Sequence, residues 1–160
     1  MTLDDTDRKI LAMLQANARV TNADIAREVG MAPSGTLERI RKLEERGIVR
    51  GYEARLDPAR VGLGITAFIL VRSKDGPGGE GTGERLALLE EVQEVHHVAG
   101  EDCFVLKARV RDPKDLQRLL RDGIGTIPAI SSTKTTIVLE TVKETSRVTL
   151  SPPDDRPVLG

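Results

Sequence analysis

The chain has 160 residues, 39% of them hydrophobic, 31% charged and 2% aromatic, a balance that buries a core and excludes both disorder and a helical membrane protein. That length holds one domain or two small ones and excludes an α/β barrel or a two-domain dinucleotide enzyme. With 24 Lys and Arg against 25 Asp and Glu, the formal charge is -1, so only a local concentration of charge can argue for a nucleic-acid partner.

Residues 1–60 read as closely spaced helices. The first starts at Asp4, with Asp7 three places on to bond back to the terminus, carries Ile10, Leu11 and Leu14 on one face, and ends near Asn17. Thr21 and Asp24 repeat the capping arrangement ahead of Ile25, Ala26 and Val29, and Gly30 follows where a left-handed helix end needs a glycine. Pro33 suits the first position of a third helix that carries Leu37, Ile40 and Leu43 and stops at Gly47; Ala32 before it is a poor cap.

A short helix, a glycine-containing turn and a longer helix have the spacing of a helix-turn-helix, whose second helix enters the major groove. At ~100° per residue, Pro33, Thr36, Leu37, Ile40, Leu43 and Glu44 share one side of the third helix, and Ser34, Gly35, Glu38, Arg39, Lys42 and Arg46 the other. Over 39–50, five basic residues (Arg39, Arg41, Lys42, Arg46, Arg50) face two acidic ones (Glu44, Glu45), enough to seat a helix on phosphates but weakly as one copy. On spacing alone the alternative is a solvated face of an ordinary three-helix bundle.

GYEARLDPARVGLG then supplies turn chemistry and a hinge around Asp57-Pro58. A strand over 65–72 leads into SKDGPGGEGTG, a loose connector lacking both the Gly-Lys-Ser/Thr ending of a phosphate loop and the spaced glycines of a dinucleotide site. A helix over 84–94 carries Leu86, Leu89 and Val92; a short strand over 95–99, the turn Gly100-Glu101-Asp102 and a strand from Cys103 follow. In the latter, Phe104, Leu106, Ala108 and Val110 alternate with Val105, Lys107, Arg109 and Arg111, so one sheet face is covered. Asp112 and Pro113 open a helix with Leu116, Leu119 and Leu120 that Gly123 closes, and 130–139 is the last clear strand. The order βαββαβ gives an α+β protein: a helix-turn-helix (winged-helix-like) domain followed by a ferredoxin-like sandwich. Residues 147–150 can add one more strand, and SPPDDRPVLG reads as loose.

The single cysteine, Cys103, excludes an intramolecular disulfide and every multi-cysteine zinc or redox motif, and fits a reducing cytoplasm. The opening MTLDDTDRK is acidic where a secretion signal is basic, and the longest apolar run, 65–71, is far short of the ~20 residues that span a bilayer, so neither export nor membrane insertion is expected. His96 and His97, adjacent on a strand, point to opposite faces and cannot share a metal without a bulge; Cys103 lacks a neighbouring base and reads as structural. No catalytic group, metal or cofactor is therefore expected. Acceptors in the Gly100-Glu101-Asp102 turn can hold an ammonium group, and Ser131, Thr133 and Thr135 on one face of the last strand, with Ser132, Lys134 and Thr136 on the other, can hold a carboxylate. Ordinary β-propensity of threonine is the alternative.

Taken together, LDDTDRKILAMLQANAR, ADIAREVGMAPSGTLERIRKLEERGIVRGYEARLDPARVG, VHHVAGEDCFVLKARV and TKTTIVLETVKE resemble the Lrp/AsnC family of feast/famine transcriptional regulators over about residues 3 to 143. The run LERIRKLEERGIVRGY is the most specific. The resemblance implies a DNA-binding domain over 1–50, a hinge over 51–63, a ligand-sensing and oligomerisation domain over 64–150 and a flexible tail over 151–160. It implies double-stranded DNA as a partner, pairing through the sensing domain into homodimers and further into octamers, and a small amino acid as effector. Ser34, Gly35, Thr36, Glu38, Arg39 and Lys42 are expected at or beside the major groove, with Arg39 and Lys42 the best base or phosphate contacts and Arg46 and Arg50 on phosphates. By position, Gly100, Glu101, Asp102, Cys103, Thr133 and Thr135 are the expected effector contacts. Two departures stand out: many members have Ser at the position of Ala32, and a common form of the turn has Asp at that of Cys103. The rival readings are an effector-independent architectural DNA protein and a small metabolic enzyme carried by His96, His97 and Cys103. Divided after residue 60, the charge becomes +1 (11 basic, 10 acidic) and -2 (13 basic, 15 acidic).

Overall fold

The computed structural model describes residues 3–74, 81–100 and 103–150. Two compact units result: 56–143 forms one, and the segments on either side of it form the other.

The first unit is built on α1 (Asp5–Ala16), α2 (Asn22–Val29) and α3 (Pro33–Glu45). Its boundaries follow from local chemistry. Asp4 caps α1 by accepting the Asp7 N–H at 2.7 Å, and Thr21 caps α2 by accepting the Asp24 N–H at 3.1 Å. Gly30, at φ 67°, closes α2 in the left-handed conformation and turns the chain towards α3. As expected from Ala32, no side chain caps α3. Ile10, Leu11, Ile25, Ile40 and Leu43 form the core of this unit.

The second unit starts with a 3₁₀ turn, Ala59–Val61, whose Ala59 N–H is accepted by Asp57 at 3.0 Å. Then come β1 (Ile65–Ser73), α4 (Thr82–Ala87), β2 (Val92–His97), β3 (Phe104–Val110), α5 (Pro113–Arg118) and β4 (Ile130–Ile137). All pairings are antiparallel, in the order β2-β3-β1-β4, the arrangement of a ferredoxin-like sandwich. Ala67, Ile69, Val71, Leu106, Ala108 and Val110 are fully buried against Leu86 of α4 and Leu116 of α5. The opposite face, with Phe68, Arg72 and Lys134 exposed, carries no helix among the described residues.

Four expectations change. The helix expected over 84–94 ends at Ala87, and β2 begins at Val92, because Val92 pairs with Ala108 and sheet formation captures residues that also fit a helical period. The helix from Pro113 does not run evenly to Gly123: after Arg118 it widens into a π turn, Leu119–Gly123, and then tightens into a 3₁₀ turn, Ile124–Thr126. Gly125 is required there, since a Cβ would lie 2.8 Å from the Leu120 carbonyl oxygen. The last strand stops at Ile137 rather than 139. Residues 147–150 form no strand, and 144–150 belong to the first unit rather than to the sensing domain. Val148 exchanges bonds with the Gln15 side chain (N–H to Oε1 2.7 Å, Nε2 to O 3.1 Å), Arg8 Nε donates to the Leu150 carbonyl at 3.1 Å, and Leu150 packs on the apolar cluster of the three helices. A side chain on α1 thus satisfies the backbone that a neighbouring strand would otherwise pair. Most of the glycine-rich connector and the tail 151–160 lie outside the described residues.

Candidate nucleic-acid interface and effector site

Burial sorts the residues of α3. Thr36, Ile40 and Leu43 face the core, and Ser34, Glu38, Arg41, Lys42 and Glu45 are exposed. Three of the expected DNA contacts are not free on that exposed face. Thr36 is fully buried, with its hydroxyl donating to the Ala32 carbonyl at 3.2 Å. Gly35 is half-buried, and a Cβ there would lie 3.3 Å from Cε of Met31. Arg39 turns towards α1: its Nη1 donates to Oδ2 of Asp4 at 2.6 Å and to Oδ1 of Asp7 at 2.8 Å. Asp7, expected to bond back to its helix terminus, thus serves α3 instead. Hydrogen bonds donated to Asp4 and then Asp7 hold the Arg39 guanidinium above its ordinary pKa, and the Asp7 N–H followed by Arg39 draws Asp4 below the usual carboxylate value.

The remaining cations stay available. Lys42 pairs loosely with Glu38 at 3.3 Å on an open face. Arg41, Arg46 and Arg50 are exposed, and none of them pairs with a carboxylate among the described residues. Arg41 was not among the expected contacts although the helical wheel places it within ~20° of Ser34; its spacing was the signal. Beyond α3, the Tyr52 hydroxyl donates to Glu44 Oε1 at 2.8 Å, and burial followed by this carboxylate pushes Tyr52 up to about 12, which fastens the outgoing chain to the last turns of α3.

In the sheet unit, Gly100 (φ 136°) lies within the β2–β3 connection, and Glu101 and Asp102 lie outside the described residues. The Cys103 N–H donates to Val71 O at 2.9 Å, and Val71 pairs with Thr133 on its other side. Cys103 and Thr133 therefore stand one strand apart at the same end of the sheet, about 10 Å between backbones. Thr135 follows Thr133 on the same face, half-buried opposite Ile69. Cys103 itself is 6% exposed within the apolar core, its Sγ 3.9 Å from the Ser73 carbonyl. A separate groove of about 290 Å³ beside the π turn, lined by Arg85, Leu88, Leu89 and Asp122 among others, contains none of the expected effector residues.

His96 and His97 do lie on opposite faces of β2. His96 Nε2 is 3.1 Å from Glu94 Oε2 on the uncovered face, where Lys107 donates to Glu94 Oε1 at 3.2 Å, while the His97 ring packs 5.2 Å from Phe104. Glu94 is drawn below its ordinary value, first by His96 and then by Lys107. Among the described residues no three His, Cys, Asp or Glu side chains come together as a metal ion requires, and no helix is long and apolar enough to cross a membrane.

A profile of the winged helix-turn-helix DNA-binding type matches residues 3–50, and that of the Lrp/AsnC ligand binding domain matches residues 66–148. The chain belongs to the Lrp/AsnC family. Its Lrp/AsnC relatives include the leucine-responsive regulatory protein of Haemophilus influenzae, 37% identical over 151 residues that cover 92% of this chain and 90% of that protein. Among solved Lrp/AsnC-like structures, a transcriptional regulator of Neisseria meningitidis in complex with L-Met has a TM-score of 0.87 at 33% identity, covering 93% of this chain and 97% of that one. A feast or famine regulatory protein of M. tuberculosis complexed with L-methionine has a TM-score of 0.85 at 35% identity, covering 92% and 99%. The protein is thus a DNA-binding transcriptional regulator of the Lrp/AsnC family, and its relatives are regulators rather than enzymes.

Proposed function

We propose that this regulator reads DNA with the exposed face of α3, through Ser34, Glu38, Arg41 and Lys42, while Arg46 and Arg50 sit on phosphates. The observation that carries this reading is the run of exposed cations on and just after α3 that no carboxylate of the described residues neutralises, apart from the loose Lys42–Glu38 pair. One copy offers few phosphate contacts. A homodimer, paired through the uncovered face of the sheet, presents two recognition helices and multiplies the affinity, and assembly of dimers into octamers extends the same gain. The protein works in the cytoplasm, where its DNA is. Its effector is a small amino acid, with L-methionine the first to test because two relatives were crystallised with it. Gly100, Glu101 and Asp102 offer backbone and carboxylate acceptors to an ammonium group, and Thr133 and Thr135 offer hydroxyls to a carboxylate. Binding that favours one assembly over another shifts operator affinity.

The test joins calorimetric titration with amino acids to measurement of oligomer size and DNA affinity. Heat on binding, with a matching change in size or affinity for at least one amino acid, is expected. No heat and no change for any of them leaves an effector-independent architectural protein, which would bind with little sequence preference and steep salt dependence.

A further inference from the structure

Apolar packing alone leaves the roll of a recognition helix loosely set. Aliphatic ridges leave ~15–20° of scatter even in the angle at which two helices cross, and a non-directional contact fixes rotation about the helix axis no better. A roll of ~20° carries a side-chain tip ~6 Å from the axis through about 2 Å, enough to break a hydrogen bond to a base edge. In α3 the core-facing stripe is narrow, comprising Thr36, Ile40 and Leu43. Arg39 stands on the flank of that stripe, ~60° round from Thr36.

From this flank one nitrogen, Nη1, reaches two carboxylates at the N-terminal end of α1, the cap Asp4 at 2.6 Å and Asp7 of the first turn at 2.8 Å. Neither acceptor is free to follow a rolling helix. Asp4 is fixed as the α1 cap through the Asp7 N–H, and the Asp7 side chain is 12% exposed. The surface pair Lys42–Glu38, with both side chains more than half exposed, has no such anchorage.

We propose that Arg39 is a positioning residue for DNA reading: clamped by Asp4 and Asp7, it sets the roll of α3 on α1 and makes no base or phosphate contact of its own. This rests on the reading that the exposed face of α3 meets DNA. It assigns Arg39 the opposite role from that suggested by its charge, because a guanidinium committed to two carboxylates adds nothing to the net attraction for phosphates.

The full chain is tested on a duplex selected by the wild type from random fragments and on a mixed-sequence duplex of equal length, across a range of salt. Asp4→Asn keeps the cap, since asparagine caps as well as aspartate, and Asp7→Asn keeps the shape. Arg39→Ala and Asp7→Asn are each expected to reduce the preference for the selected duplex about tenfold, the size of one lost base contact. The double variant should be no worse than the poorer single one, and the salt slope should stay as in the wild type. A salt slope lowered by about one in Arg39→Ala would identify Arg39 as a DNA contact and overturn the proposal, as would an unchanged preference in both single variants. If Arg39→Ala does not fold, as thermal unfolding will show, the isosteric Asp7→Asn carries the test. Arg41→Ala/Lys42→Ala separates the two readings. If it leaves binding to both duplexes intact, the reading of α3 as the DNA-facing helix fails; if it weakens binding while Asp7→Asn changes nothing, the clamp alone fails.

Discussion

In the sheet unit Ile69, Val71, Leu106 and Val110 have no exposed surface, and two helices cover them. In the helix-turn-helix unit a smaller apolar cluster is supplemented by polar ties: Asp4 and Asp7 to Arg39, Tyr52 to Glu44, and Gln15 and Arg8 to the returning segment 144–150. The sheet unit rests mainly on burial, which is insensitive to direction, and the helical unit more on contacts that depend on geometry. A DNA reader needs the second kind, because recognition depends on where α3 points more than on how firmly it is packed.

The contrast can be broken most strongly at the returning segment. A stop after Lys143 removes the half-buried Leu150 and the bonds to Gln15 and Arg8, which should destabilise the helical unit by about 2 kcal/mol. Scanning calorimetry should show one transition moving down while that of the sheet unit stays in place; a sheet transition that falls equally would refute the division. Ala32→Ser should sharpen the contrast in the other direction. The Ala32 backbone is already extended (φ -67°, ψ 144°) as a cap requires, so a hydroxyl there should stabilise the helical unit by about 1 kcal/mol, again read as a shift of one transition.

Acid allows a test on a single group of the sheet unit. Asp115 accepts from Arg111 at 2.8 Å and from Arg118 at 2.8 Å, and Arg111 foremost lowers it from 3.8 to about 2. Its pKa is lower in the folded state, so its contribution is complete above pH 3.8 and disappears as the pH falls towards 2. Asp115→Asn should therefore flatten the acid limb of the sheet unit between those values and leave that of the helical unit, where Asp4 and Asp24 are also lowered, as steep as before. Stability measured by denaturant titration from pH 5 to pH 2 checks this.

Local chemistry made much of this fold legible. Thr21 and Asp112 cap where their side chains predict, and the alternation of Phe104, Leu106, Ala108 and Val110 gives the buried face of β3. The short length of α4 was not legible, because Leu86, Leu89 and Val92 satisfy a helical period while Val92 also has a partner in Ala108, and only the assembled sheet chooses between them. The partners of Arg39 were hidden for a related reason. On a helical wheel a flanking arginine looks solvated, and its partners lie 32 and 35 residues away. The same holds for the bond from Gln15 to Val148, across 133 residues, and for Cys103, whose position at the end of a turn did not reveal that its side chain points into the core.

The helical unit is discontinuous in the chain, with residues 56–143 inserted between its two segments. During synthesis at ~10 residues per second, α1, α2 and α3 are complete on the order of ten seconds before Leu150 exists to cover them. The part of the molecule that is made first is finished last, only after the whole of the sheet unit has been synthesised.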